Sequence, residues 1–118
     1  MSDYTKLKVW EDAHKFTIEI YKITKNFPNN EQYGLTSQIR RSASSVPTNI
    51  VEGSGQLTKS NYIRFLGMAQ GSAYEVEYQI LLAKDLGYLE LSDYSSLSKK
   101  IKDIIYMLFG LIKSLRNI

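Results

Sequence analysis

The stretch "QIRRSASSVPTNIVEG", Gln38 to Gly53, decides how this chain folds. It holds adjacent arginines, three serines close together and a proline in mid-run. Read as a loop, it would make Ser45 an N-cap and place Pro47 in the first turn of a new helix. Read as a helix, it must accommodate a ring that removes one hydrogen bond and clashes with the carbonyl of Ala43, at about 3 kcal/mol. The apolar pattern separates the two readings, because a true loop normally resets the helical phase. Leu35, Ile39, Ala43, Val46 and Ile50 keep one face straight across the proline. The spacing therefore predicts one continuous helix, kinked at Pro47. Small Ala43, with Ser44 and Ser45 able to donate locally, eases the conflict. Gly53 and Gly55 read as C-terminal punctuation.

The same period runs outward in both directions. Before this helix, Val9, Ala13, Phe16, Ile20, Ile23 and Phe27 recur at steps of four and three until Phe27-Pro28, where proline disfavours helix in the residue preceding it. After it, Thr58 or Ser60 can cap a third helix with the inner face Tyr62, Phe65, Ala69, Ala73, Val76, Ile80 and Ala83. A fourth begins near Ser92 and carries Tyr94, Leu97, Ile101, Ile104, Leu108, Leu111 and Leu115 at the alternating spacing of a bundle seam. The links are short. The expected fold is all-α, a single domain over residues 1–118 forming an antiparallel up-down-up-down four-helix bundle.

Composition narrows the function. With 118 residues the chain suits one modest core, and 43% hydrophobic residues is ordinary for a soluble globular protein. No cysteine and one histidine exclude disulfides and Cys/His metal sites. The charged start "MSDYTKLKVWEDAHK" is unlike a signal peptide or an anchor, and a cytoplasmic protein is expected. No glycine-rich phosphate loop follows a strand, Glu-x-x-His is absent, and Glu75 and Glu77 cannot share a helix face. His14 stands alone, and Ser44 and Ser45 have no base beside them. The chain is read as a non-enzyme without cofactor or metal.

Charge and surface patterning are more informative. The net charge is +3, unevenly spread: residues 91–118 hold five bases against two acids. Lysines on the first and fourth helices, Lys15, Lys22, Lys25, Lys99, Lys100, Lys102 and Lys113, with Arg116, are the candidate nucleic-acid contacts, each having the alternative of a solvated helix face. Arg40 and Arg41 could fork onto phosphate, but ion pairing with Glu52, Glu75 and Glu77 is the favoured reading. Gln38, Ser42, Ser45, Asn49 and Glu52 form a small polar column, either a solvated flank or a contact with a neighbouring helix or subunit. The third helix carries a second outward stripe, Ile63, Gly67, Gly71, Tyr74, Tyr78 and Leu81, that a lone bundle has no reason to present. On the first helix, Trp10, Thr17 and Tyr21 are similarly displaced. Two surplus faces suit a heterologous contact that closes into a ring, so a homo-oligomer is expected.

Trp10, Tyr33-Gly34-Leu35, the opening stretch, Phe65-Leu66, "GSAYEVEYQ" (Gly71 to Gln79) and Leu86-Gly87-Tyr88 together cover nearly the whole chain. In that order they resemble the four-helix bundle family named from proteins encoded by intervening sequences in bacterial 23S ribosomal RNA genes. That family is similar to the accessory variability determinant of diversity-generating retroelements. The resemblance implies an antiparallel bundle assembled into a pentameric barrel, with Pro47 inside the second helix. In the retroelement relative the barrel is basic and binds its reverse transcriptase and nucleic acid, so RNA, DNA or a reverse transcriptase are the implied partners. This chain departs in charge, since five copies at +3 each would carry only +15. An accessory nucleic-acid-binding module is the leading reading, and a protein-interaction scaffold without a nucleic-acid role the alternative.

Overall fold

Four helices are built where the apolar period runs, and the computed structural model describes them within residues 3–117. They are α1 (Lys8–Ile23), α2 (Leu35–Ser54), α3 (Lys59–Asp85) and α4 (Leu91–Arg116). Each packs against its neighbours in sequence, and α1 meets α4 to close the ring, the neighbour pattern that an up-down-up-down bundle makes. The bundle measures 46 × 24 × 20 Å. Its centre is filled by Phe16 and Ile20 from α1, Ile39, Val46 and Ile50 from α2, Leu66, Val76 and Ile80 from α3, and Ile101, Ile104 and Leu108 from α4.

Pro47 lies buried inside α2, which runs unbroken across it. With no N–H at position 47, the carbonyl of Ala43 loses its intrahelical partner. Thr17 of α1 answers it: its hydroxyl lies 3.1 Å from the Ala43 oxygen and 2.8 Å from that of Ala13. One hydroxyl proton serves both acceptors. Thr17, grouped by sequence with an outward stripe, is instead half-buried at the α1–α2 seam.

The α2–α3 contact is the most extensive in the bundle. Small side chains make it close: Ala43, Ala69 and Ala73 are wholly buried, and Ser72 reaches Ser45 across the seam at 3.0 Å. Gly53 belongs to this approach rather than to helix termination. A Cβ there would stand 3.0 Å from Cβ of Phe65 and 3.0 Å from a ring carbon of Tyr62. Gly55 does end α2, but with right-handed φ of −86°.

Two boundaries and one core position differ from the sequence reading. α1 stops at Ile23, because Thr24–Asn26 tightens into a 3₁₀ turn; Phe27 then continues extended and still buries its ring. α4 starts at Leu91, with Glu90 rather than Ser92 at its N-cap. In α3 the core position is Leu66, while Phe65 is half-buried under the guanidinium of Arg64 at 4.6 Å. Thr58 caps α3 as expected, accepting from the Asn61 amide.

α3 ends in a Schellman motif. Gly87 takes φ of +82°, its amide donates to Lys84, and the Tyr88 amide donates to Ala83. This turn delivers Tyr88 to the link between α1 and α2, where its hydroxyl donates to Glu31 at 2.8 Å and its ring meets Phe27 at 5.5 Å. The other Glu31 oxygen accepts the Leu35 amide at 3.1 Å, closing the open N-terminus of α2. The Leu35 amide first, and then the Tyr88 hydroxyl, hold the Glu31 carboxyl below its ordinary pKa; the same bond raises the Tyr88 phenol.

Two measurements test these ties. Thr17→Val should destabilise the bundle by about 1–2 kcal/mol in urea unfolding, and by much less in a Pro47→Ala background, where the Ala43 carbonyl regains a backbone donor. Additive losses would refute the pairing. The Glu31 contribution to stability is present above the ordinary carboxylate pKa and is lost as pH falls through the depressed folded value. Tyr88→Phe should therefore move the Glu31 titration, followed by NMR, part-way back up, the Leu35 amide holding the rest. Its stability deficit against wild type should shrink on acidification.

Candidate functional site

Three of the candidate cations are occupied by the chain's own acids. Lys15 meets Glu11 at 2.8 Å on α1, Lys99 meets Asp103 at 3.6 Å on α4, and Lys100 bridges to Glu19 of α1 at 2.8 Å. The Lys15 contact lowers the Glu11 carboxyl pKa and raises that of the ammonium. Lys22, Lys25, Lys102, Lys113 and Arg116 are exposed and make no ion pair among the described residues. They are scattered: Lys25 lies in the 3₁₀ turn Thr24–Asn26 and Lys102 midway along α4. Lys22 shares a shallow groove with Glu19 and Asp93 where α1 ends and α4 begins. Lys113 and Arg116 lie in the last turn of α4, about 30 Å further along that helix. Within one chain the α1–α4 seam thus alternates in sign, and the lysines do not merge into one basic surface.

The outward stripe of α3 stands clear of the bundle. Tyr74 is 47% and Tyr78 60% exposed, Ile63 and Leu81 are half-buried at its two ends, and a Cβ added at Gly67 or Gly71 would meet nothing within 4 Å. The α1 residues are different. Trp10 is half-buried, flanked edge-on by Tyr4 at 5.0 Å and stacked on His14 at 5.2 Å. Tyr21 is covered on one face by the Arg40 guanidinium at 4.9 Å. A patch absent from the sequence-derived candidates lies on α4, where Tyr106 is 79% and Phe109 52% exposed beside Gly110. Its rings lie off the buried seam Leu97, Ile101, Ile104 and Leu108, which carries the apolar period of α4.

The polar set around α2 is not one network. Arg40 donates through Nε to Thr24 Oγ1 at 2.8 Å and through Nη2 to the Tyr21 carbonyl at 3.3 Å, closing the C-terminal end of α1. Among the described residues no ion pair joins Arg40 or Arg41 to Glu52, Glu75 or Glu77. The arginine's partners are hydroxyl and carbonyl because α1, not α3, lies beside it. Asn49 is buried and donates to the Ser45 carbonyl at 2.9 Å and its hydroxyl at 3.0 Å. With the Ser45–Ser72 contact, the middle of the polar column is a helix–helix seam; its ends, Gln38 and Glu52, are exposed. Arg41 and Glu75 line one open hollow of about 400 Å³ over that seam without closing on each other.

Among the described residues, no group of three His, Cys, Asp or Glu side chains could hold a metal ion, and no helix is long and apolar enough to cross a membrane. The arrangement offers faces and charges for noncovalent contact.

The sequence model of the 23S rRNA-intervening sequence proteins matches residues 5–110. The chain belongs to that family. A solved structure from Bacteroides thetaiotaomicron, described as a protein of unknown function from the S23 ribosomal protein family, is similar to it. The two share 26% identity with a TM-score of 0.83, over 89% of this chain and 95% of that one. No curated protein matches. The family's four-helix bundle is therefore the fold of this member, and the Pro47-bearing helix lies within the matched span.

The two arginines should separate on substitution. Arg40→Ala is expected to lower stability by about 1–2 kcal/mol in urea unfolding, since it bonds the end of α1. Arg41→Ala should stay within about 0.5 kcal/mol. Equal losses would show that Arg41 has a structural partner as well.

Proposed function

We propose that this family member is a non-enzymatic accessory module that self-associates through the outer face of α3, as a pentameric ring, and binds nucleic acid in the cytoplasm. The observation that carries the self-association is the pair Gly67 and Gly71. Each glycine weakens a helix by about 1 kcal/mol relative to alanine. Nothing in the chain itself needs the missing Cβ, since both positions open onto free space. A second copy packing closely against α3 supplies the reason, and Tyr74 and Tyr78 give it aromatic surface to bury. A heterologous contact of this kind, with Trp10 and Tyr21 as part of the opposing half, closes into a ring by rotation.

Nucleic-acid binding is supported by the cations that no acid neutralises, Lys22, Lys25, Lys102, Lys113 and Arg116, repeated around the assembly. The competing reading, a protein-interaction scaffold without a nucleic-acid role, is favoured by the ion pairs that occupy Lys15, Lys99 and Lys100. A ribosomal RNA or a reverse transcriptase is the partner class for the first reading.

Tyr78→Glu should lower the molar mass measured by light scattering while circular dichroism stays unchanged; an unaltered mass would remove α3 as the interface. Labelled structured RNA and duplex DNA, titrated across a salt series on material of known mass, decide between the two functions. Affinity that falls steeply with salt is expected.

A further inference from the structure

The exposed face of α4 carries an ordered column: Lys99, Lys102, Tyr106, Phe109, Lys113 and Arg116. The steps are three, four, three, four and three, so the six side chains lie along one line of the helix, over about 25 Å. All six are exposed. Two aromatic rings thus sit between two pairs of cations. Beside them opens a hollow of about 500 Å³, lined by Tyr106, Phe109, Gly110, Ile112, Lys113, Arg116 and Asn117, with no carboxylate side chain among the described residues of its lining. A Cβ at Gly110 would meet nothing within 4 Å, so the glycine leaves room next to the Phe109 ring.

We propose that this column is a binding site for single-stranded nucleic acid, with bases stacked on Tyr106 and Phe109 and phosphates held by the flanking cations. It rests on the reading of the protein as a nucleic-acid-binding module and names where and in what form the polymer is bound. Every base has a π-face, so exposed rings bind strands without reading sequence, while cations at both ends track the backbone. A duplex hides its base faces and would leave the rings idle. The Lys99–Asp103 pair is exposed on both sides, so its salt bridge is weak and a phosphate can replace it.

A second copy of the chain is a poorer occupant. Interface centres are depleted in lysine, and burying Lys102, Lys113 and Arg116 without acids would strand their charge. The α3 stripe, by contrast, contains no charged residue from Ile63 through Gly67, Gly71, Tyr74 and Tyr78 to Leu81. Neutral and glycine-lined, α3 suits self-contact. The α4 column suits a polyanion with aromatic faces.

The test uses the full chain and labelled oligonucleotides of about 16 nucleotides, as RNA and as DNA, single-stranded, duplex and abasic. Single strands are expected to bind more tightly than duplex or abasic strands of equal charge. Tyr106→Ala and Phe109→Ala should each weaken single-strand binding about tenfold at unchanged molar mass, with Tyr106→Phe retaining it. Lys113→Gln and Arg116→Gln should each reduce the single-strand salt slope by about 0.7. Wild-type binding that both alanine variants leave intact would overturn the site while sparing the nucleic-acid reading. So would abasic strands binding as tightly as normal ones. A fall in molar mass in Tyr106→Ala would assign the face to a second copy, and tighter binding of an acidic aromatic peptide would assign it to a protein. Failure of every oligonucleotide to bind wild-type protein would sink the nucleic-acid reading and the site with it.

Discussion

A proline in mid-helix creates one unpaired carbonyl, and in this bundle the arrangement of α1 on α2 follows from how that carbonyl is satisfied. Pro47 cannot donate to Ala43, so the donor has to come from outside α2. Thr17 supplies it from the facing turn of α1, which fixes the height of one helix against the other. Arg40, two turns before the proline, fastens the end of α1 through Thr24 and the Tyr21 carbonyl. Two polar side chains, Thr17 and Arg40, thus set both the register and the stopping point of α1, while apolar burial supplies most of the attraction. On the other flank of α2 the solution is steric. Gly53 and the Ser45–Ser72 pair let α3 approach closely, in the most extensive contact of the bundle.

Much of this was legible in the residues. The helical phase across Pro47 identifies α2 as one helix, because the buried residues Leu35, Ile39, Ala43, Val46 and Ile50 are those that share a helical face. Periodicity has less power where apolar residues are adjacent. Phe65 and Leu66 both satisfy a three-or-four step from Tyr62, and only packing selects Leu66. Partners across helices were hidden for a deeper reason. Thr17, Arg40 and Tyr88 act on residues 16 to 57 positions away, and a one-dimensional pattern gives no distance between helices. The expected arginine–glutamate pairs failed for that reason: carboxylates available by composition were not the groups placed alongside. A glycine near a helix end has two uses, and at Gly53 the nearby side chains of Tyr62 and Phe65 select close packing over punctuation.

The outer surface divides by chemistry. The outward stripe of α3 presents glycine and tyrosine, with the opposite charges of Arg64 and Glu75 at its edge, and α4 presents tyrosine and phenylalanine between lysines and an arginine. Hydrophobicity alone would rank the two faces together. Charge separates them, because desolvating unpaired cations against another copy is unfavourable, whereas a phosphate chain neutralises them as it binds. The seam between α1 and α4, where acids and bases alternate, belongs to neither class, and the one ion pair that crosses it among the described residues, Lys100–Glu19, aligns the two helices.

The bond from Tyr88 to Glu31 joins the link of the first helical hairpin to the link of the second. Helices and the adjacent hairpins are local structures and form on short timescales. The Tyr88–Glu31 contact spans 57 positions and can exist only once the two hairpins have docked. Glu31 consequently feels two stages of folding. Its bond to the Leu35 amide needs only the start of α2, while the further influence of the Tyr88 hydroxyl arrives with docking. Glu31 thereby ties the start of α2 to the docking of the second hairpin, through a glycine turn that sets Tyr88 against the bundle core.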